Sequence, residues 1–417
     1  MKYTLSHIAG FNDVVKTNEV NKEYEKYFSV KEYVTKGTET YSIVRYNKEL
    51  LSKDIVPTYG LLRSVIISKG RVVSFAPPKS ISVETFMNDY PLKMDNIVAE
   101  EFVEGTMINV FFDPNYGAAG CWQIATRNTV GADVAFNKGK KTFYTMFMEA
   151  CQENNLFLNS LNPSFCYSFV LQHPDNRIVV PFKNPQLYLV SVYEILQDNS
   201  NLQDNNIRVY EHDMRIVSQD LIWGTTGVKF PEKYTFSTYT QLIDKFASPN
   251  TPYNILGVVI RNMETGERTK IRNPSYEEVR HLKGNQSKLQ YQYLCLRQNG
   301  KLPEFLKFYP ELKPEMSKFR DQVHLFTNTL FKNYISCYIK KENPLREFPE
   351  QYRTHMFKIH EQYINDLKPN NLFVTNTVVI KYVNELPSSL LMYCLNYNMR
   401  KRAVDTIKTE FTHLNLW

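Results

Sequence analysis

Val98-Ala-Glu-Glu-Phe-Val-Glu-Gly-Thr-Met-Ile-Asn-Val-Phe-Phe-Asp113 is the stretch whose reading decides the fold. A β-branched and aromatic run, a glycine and a second apolar run predict a hairpin whose turn presents Glu104 and Gly105. Working outward, residues 61–76 hold two β-branched runs around Lys69-Gly70, a second hairpin signal closed by Pro77 and Pro78. Downstream, residues 122–129, 165–170, 177–181 and 187–195 read as strands, and 254–261 with 268–272 as a last hairpin around Glu264-Thr-Gly266. Helical period is expected over 143–154 and 239–246, with a short helix near Val83, Phe86 and Met87. Residues 197–206 are a polar loop.

Beyond Pro274 the periodicity changes. Phe319, Val323, Phe326, Leu330, Tyr334 and Tyr338 form one stripe of a long helix. Tyr352, Met356, Ile359, Tyr363 and Leu367 form a second, closed by Pro369, and 388–397 and 404–414 predict two more. The expected fold class is therefore α+β: twisted antiparallel sheets with flanking helices over residues 1–275, residues 1–60 being an N-terminal extension, then an all-helical C-terminal domain over 276–417.

At 417 residues the chain is long enough for two such domains, and 22 % charged with 14 % aromatic residues excludes a disordered one. The cysteines at 121, 151, 166, 295, 337 and 394 show no CxxC, and the 8 histidines no HxxxH. No disulfide scaffold and no metal site is expected. Without an apolar run long enough to span a bilayer, and with a first segment, Met1-Lys-Tyr-Thr-Leu-Ser-His, lacking an apolar core, a soluble cytoplasmic protein with no membrane partner is expected. The formal charge of +7 is unevenly placed: residues 277–417 hold 21 of the 50 basic and 14 of the 43 acidic residues, leaving 29 of each before them. A basic C-terminal third suggests that RNA or DNA ends dock there, with Lys283, Lys288 and Arg297 its best basic face; an ordinary solvated helical surface, or a protein partner, is the alternative.

The stretch at 98–113 resembles the nucleotide-binding motif of the covalent nucleotidyltransferases, a strand ending in lysine-x-aspartate-glycine. More narrowly, the series resembles the RNA ligase 1 family of bacteriophages. Leu62-Arg63-Ser64-Val65 is similar to its arginine-glycine strand and Ser74-Phe-Ala-Pro-Pro-Lys-Ser with Phe86 to the loop that follows. Ile124-Ala-Thr-Arg-Asn-Thr129 and Tyr167-Ser-Phe-Val-Leu-Gln-His-Pro-Asp-Asn-Arg-Ile-Val179 resemble the next two segments. Asn254-Ile-Leu-Gly-Val-Val resembles the glutamate-glycine strand, and Thr269-Lys-Ile-Arg-Asn-Pro the closing lysine-x-lysine strand.

The resemblance implies a ligase-type nucleotidyltransferase fold, ATP and Mg²⁺ as cofactors, and a lysine nucleophile. The departures fall on the chemistry. Phe102 stands at the nucleophile position, Ser168 and Leu256 at carboxylates on the metal side, and Ala125 and Arg127 at lysines of the phosphate wall. A phenyl ring cannot attack phosphorus. Phe102 and Leu256 would instead fill the pocket with hydrocarbon, each adding about 1.5–3 kcal/mol if fully buried. The expectation is a catalytically degenerate protein without cofactors. Its surviving nucleotide- or phosphate-binding set is Arg63, Glu104, Gly105, Arg127, Lys270 and Arg272. Glu104 binds a ribose hydroxyl or caps the turn; Lys270 and Arg272 line a phosphate groove or an exposed strand edge; Arg177 contacts nucleic acid or pairs with Asp175. Two alternatives stay open. One is an active RNA ligase with a displaced nucleophile, Lys93 or Lys270, and new metal carboxylates at Glu100, Glu101 and Glu104. The other keeps only the fold, as a packing unit of an assembly such as a virion.

Overall fold

The two apolar runs of the deciding stretch become strands that do not pair with each other. In the computed structural model, which describes residues 2–135, 141–198, 206–286 and 288–402, they enter different sheets. The N-terminal strands are β1 (Lys2–Thr4), β2 (Phe28–Val34), β3 (Thr40–Tyr46), β4 (Val65–Ser68) and β5 (Arg71–Ser74). Then come β6 (Ile97–Glu101), β7 (Thr106–Asp113), β8 (Cys121–Ala125), β9 (Phe165–Gln172), β10 (Gln186–Asp198) and β11 (Asn206–Glu211). The last are β12 (Lys233–Tyr234), β13 (Gly257–Asn262) and β14 (Arg268–Arg272). They form a six-stranded sheet of order β1-β11-β10-β9-β7-β8 and two four-stranded sheets, β12-β6-β13-β14 and β2-β3-β4-β5. Every ladder between these strands is antiparallel.

The hairpin expected at 98–113 is thus corrected: the chain leaves β6 in one small sheet and crosses to β7 in the large one. Gly105 makes this crossing possible. Its φ is +152°, and a Cβ there would lie 2.5 Å from the Leu171 carbonyl oxygen and 2.6 Å from Val170 Cγ1 on β9. The side chain of Gln172 donates to the Glu104 carbonyl at 3.0 Å, tying the crossing to the end of β9.

Alternation gives the large sheet two buried faces. Phe111, Tyr193, Ile207 and Val209 pack against the β2–β5 sheet, while Val110, Phe169, Leu171 and Leu189 pack toward the helix Phe143–Glu153. Asp113, 1 % exposed, accepts from Tyr41 Oη and Ser68 Oγ, both at 2.8 Å, pinning the β2–β5 sheet to β7. The third sheet buries Ala99, Val258, Ile260 and Ile271 beside the helices Val83–Asp89 and Tyr239–Phe246. Residues 1–60, expected as an N-terminal extension, contribute β3, which pairs with β4 of the 65–74 hairpin, and β2, which pairs with β3.

Residues 177–181 are a bend, not the expected strand, because their amides bond a side chain instead of a ladder. Of the polar loop expected over 197–206, residues 197 and 198 belong to β10 and Asn206 to β11, and residues 199–205 lie outside the described residues.

The chain divides into two compact units, residues 1–280 and 281–417. In the second, the two expected stripes are the helices Lys313–Tyr334 and Glu350–Gln362, each continuing into a π-helical turn, Ile335–Ile339 and Tyr363–Leu367. Ser388–Leu395 is helical as expected, and residues 404–414 lie outside the described residues. Among the described residues, no helix is long and apolar enough to cross a membrane.

Replacing Gly105 by alanine is expected to lower the unfolding free energy by roughly 2 kcal/mol or more, since positive φ and a clash with β9 backbone are both penalised. Urea unfolding followed by circular dichroism measures it.

Candidate functional site

Register decides which side chains share a face of the β12-β6-β13-β14 sheet. Directly opposed residues share a face, so Lys233, Glu100, Val259 and Lys270 form one row. Val98, Arg261 and Arg268 form the next, and Arg272 lies opposite Gly257. The triplet Arg268, Lys270 and Arg272 therefore projects from one face of β14 by simple alternation.

Phe102 follows directly on β6 and meets this face. Lys270 Nζ lies 4.6 Å from the centre of its ring and Arg272 Cζ 5.2 Å, both over the ring. An electron-rich ring face attracts a guanidinium, or an amine while it is protonated, by about 0.5–2 kcal/mol. Phe102 is thus only half-buried and roofed by charge, not the hydrocarbon plug expected; Leu256, 8 % exposed, does behave as one. Burial, then the charges of Arg268, Arg63, Arg272 and Lys79, push the Lys270 amine down to about 6. Burial and neighbouring cations also lower Arg63, to about 10, and Lys79. These side chains are steadied by backbone: Arg63 Nη1 donates to the Pro77 carbonyl at 3.5 Å, Lys79 Nζ to the Ser80 carbonyl at 2.9 Å, and Arg268 Nη2 to that of Pro78. Arg268 Nε is buried without a hydrogen-bond partner among the described residues. Arg272 Nη1 pairs with Glu277 Oε1 at 3.0 Å, yet basic side chains still outnumber carboxylates in this cluster, which suits the oxygens of a phosphate.

Behind it lies an ion pair between sheets. Glu211 on β11 accepts from Arg261 Nη1 at 2.6 Å and Tyr3 Oη at 3.1 Å, and Ser191 Oγ lies 3.3 Å away. Burial raises the Glu211 carboxyl, but Arg261 and Arg268 outweigh it and hold the group below the usual carboxylate range.

The same geometry does not fit a divalent ion. The Glu104 carboxylate, 6 % exposed, accepts the Val179 N–H at 2.9 Å and the Val180 N–H at 3.1 Å. Burial, then the charge of Glu104 beside it, raises the Tyr276 hydroxyl. Glu104 therefore anchors the 177–181 bend, a role covered by neither of the two expected for it. Glu101 points to the opposite face from Glu100 and accepts from the Glu232 amide at 3.2 Å, while Glu100 faces Arg261 Nε at 3.8 Å. Ser168 Oγ donates to Asn109 Oδ1 at 2.8 Å. The three acids suggested as new metal ligands do not converge, and no group of three or more His, Cys, Asp or Glu suited to a metal occurs among the described residues.

Of the remaining candidates, Lys93 is corrected as a displaced nucleophile. It precedes β6, with Asp95 3.8 Å away, and the strand alone puts roughly 13 Å between it and Phe102. Arg127 lies not on Phe102 but over the Tyr46 ring, at 5.3 Å. Arg177 Nε donates to the Val179 carbonyl at 2.9 Å, and Asp175 lies 3.3 Å from Lys141. Lys288 and Arg297 flank opposite ends of the helix Leu289–Gln298, about half a turn apart around its axis. Arg297 bonds Asn384, and Lys283 Nζ lies 5.7 Å from the Tyr309 ring centre, so the three do not make one basic face. Sequence reading missed Arg268, which the period of two in Arg-Thr-Lys-Ile-Arg marks, and Lys79 and Glu211, which no local pattern marks.

The chain is 23 % identical over 335 residues to an RNA ligase of Rhodothermus phage RM378, covering 72 % of each chain. Solved structures that it resembles loosely include an archaeal ATP-dependent RNA ligase (11 % identity, 74 % of this chain and 77 % of that one, TM-score 0.39). Another is an RNA ligase variant of Naegleria gruberi with ATP and Mn (10 % identity, 61 % and 81 %, TM-score 0.34). No family model matches the chain.

Because the unfolded amine titrates near 10.5 and the folded one near 6, the unfolded chain binds the Lys270 proton more tightly. The penalty is full below pH 6 and fades as pH rises toward 10. Lys270→Met is therefore expected to raise the melting temperature by a few degrees at pH 6, with the gain vanishing near pH 10, as calorimetry across pH would read.

Proposed function

We propose that this RNA ligase-like protein binds a phosphate-bearing nucleotide or nucleic-acid end in the cleft between its sheets and does not transfer it covalently. The observation that carries the reading is that Lys270 and Arg272 lie over the ring of Phe102, the residue that the sequence resemblance sets at the position of the family's lysine. The cations Arg63, Lys79, Arg268, Lys270 and Arg272 take the phosphate oxygens, and Arg268 Nε has a hydrogen bond to offer. Glu104, two residues beyond Phe102, is taken up by the amides at 179–180 and so adds no free carboxylate to the site. Phosphate entering this pocket favours the protonated Lys270 amine, so binding takes up a proton and tightens as pH falls from 8 toward 6.

A second reading has one observation behind it. An amine lowered to about 6 is uncharged at neutral pH, the state a nucleophile needs, so Lys270 is the remaining displaced candidate.

Incubation with α-labelled ATP and GTP plus Mg²⁺ or Mn²⁺ separates the two. The expected result is no covalent label, with equilibrium binding of ATP weakened at least tenfold by Lys270→Ala. Label on the wild-type chain that Lys270→Ala abolishes establishes the second reading and overturns the first.

A further inference from the structure

Lys270 Nζ lies 4.6 Å from the centre of the Phe102 ring, and among the described residues no hydrogen bond or ion pair holds it. The charges that act on it most, those of Arg268, Arg63, Arg272 and Lys79, are all positive. Among the described residues these four make a single ion pair, Arg272 with Glu277 at 3.0 Å. The guanidiniums keep their protons at neutral pH, and Lys79 Nζ donates to the Ser80 carbonyl at 2.9 Å. Lys270 differs from them. Loss of water and crowding by like charges both oppose its ammonium form, and it gives up its proton at about 6. Its side chain is only half-buried, so a small uncharged molecule reaches the nitrogen.

The neighbours offer what an anion on that nitrogen would need. Arg268 lies two residues before Lys270 on the same face of β14, is 8 % exposed, and has its Nε buried without a hydrogen-bond partner among the described residues. Arg272 follows two residues later, its guanidinium carbon 5.2 Å from the same ring centre. A planar guanidinium takes a carboxylate-shaped group through parallel N–H bonds. The site thus combines an unheld amine, donors on both sides of it along the strand, and too few acids.

We infer that Lys270 is a carbamylation site: its amine adds carbon dioxide, and Arg268 and Arg272 hold the carbamate that forms. The nitrogen lone pair makes the new N–C bond, one C=O electron pair moves onto oxygen, and a proton leaves the nitrogen for solvent. The product bears one negative charge over two oxygens, the shape of a carboxylate. The positive surroundings that strip the ammonium of its proton also stabilise this anion, so one cluster favours both the reactant and the product of the step. Phosphate and carbamate call on the same guanidiniums and exclude each other. Carbon dioxide then regulates ligand binding at this site, a consequence that rests on the proposed phosphate binding, whereas the carbamate itself does not.

The test uses the full chain in ¹³C-bicarbonate at pH 7.5, where lysines titrating near their ordinary 10.5 are protonated. The expected result is a protein-borne carbamate carbon in the ¹³C spectrum, lost in Lys270→Gln and weakened several-fold in Arg268→Gln, which keeps the lysine but removes a donor. Thermal melts check that both variants are folded. No carbamate carbon in the wild-type chain overturns the inference, and so does a signal that survives Lys270→Gln. Bicarbonate bound only as an ion gives no carbamate carbon and overturns it too. Calorimetry of ATP binding in bicarbonate and in chloride, at equal pH and ionic strength, reads the regulation separately. ATP is expected to bind several-fold more weakly in bicarbonate. If the carbamate forms and ATP affinity is the same in both salts, the proposed phosphate binding at Lys270 fails while the carbamylation site stands.

Discussion

The structure depends on a crossing. Between Glu101 and Thr106 the chain leaves one sheet and enters another, and it does so against the backbone of β9, where only a residue without a Cβ fits. That constraint places Phe102 and Glu104 in the seam between the sheets. Glu104 closes the seam from one side through two amides of the 177–181 bend, and Glu211 with Arg261 ties the sheets together behind it. The cleft face of β14 is then aimed at Phe102 by register alone. Position and charge at the site are consequences of the route of the backbone.

Within that frame, electrostatics sorts the candidates better than residue type does. Lys93, Arg177 and Lys270 are all cations in or near the segments that carry the resemblance, but only Lys270 is buried among other cations. Lys93 is on the wrong end of β6, and Arg177 bonds a nearby carbonyl. Three carboxylates within five residues, Glu100, Glu101 and Glu104, resemble a metal cluster in sequence; in space each faces a different partner.

What the sequence made legible follows from what is local. Alternation located β6, β7, β9 and β14, and helical period located the helices after residue 313, because both are read within a single element. The motif series led to Phe102, Lys270 and Arg272 for the same reason. The error at 98–113 was one of pairing: two apolar runs around a glycine look alike whether they fold back on each other or part into different sheets. Arg261, Glu211 and Tyr3 stayed invisible because their meaning lies in bonds across 50 and 208 residues of chain. The stretch before residue 60 looked silent since Tyr46 becomes informative only when Arg127, 81 positions later in the numbering, is laid on it.

Glu104, by accepting the amides of Val179 and Val180, belongs to the scaffold and leaves the ring at 102 to meet the basic side chains. A lysine in place of the ring would bring a third base against Lys270 and Arg272, of which Arg272 already holds Glu277. The ring thus serves as a neutral spacer, which draws like charges to its face without adding to them.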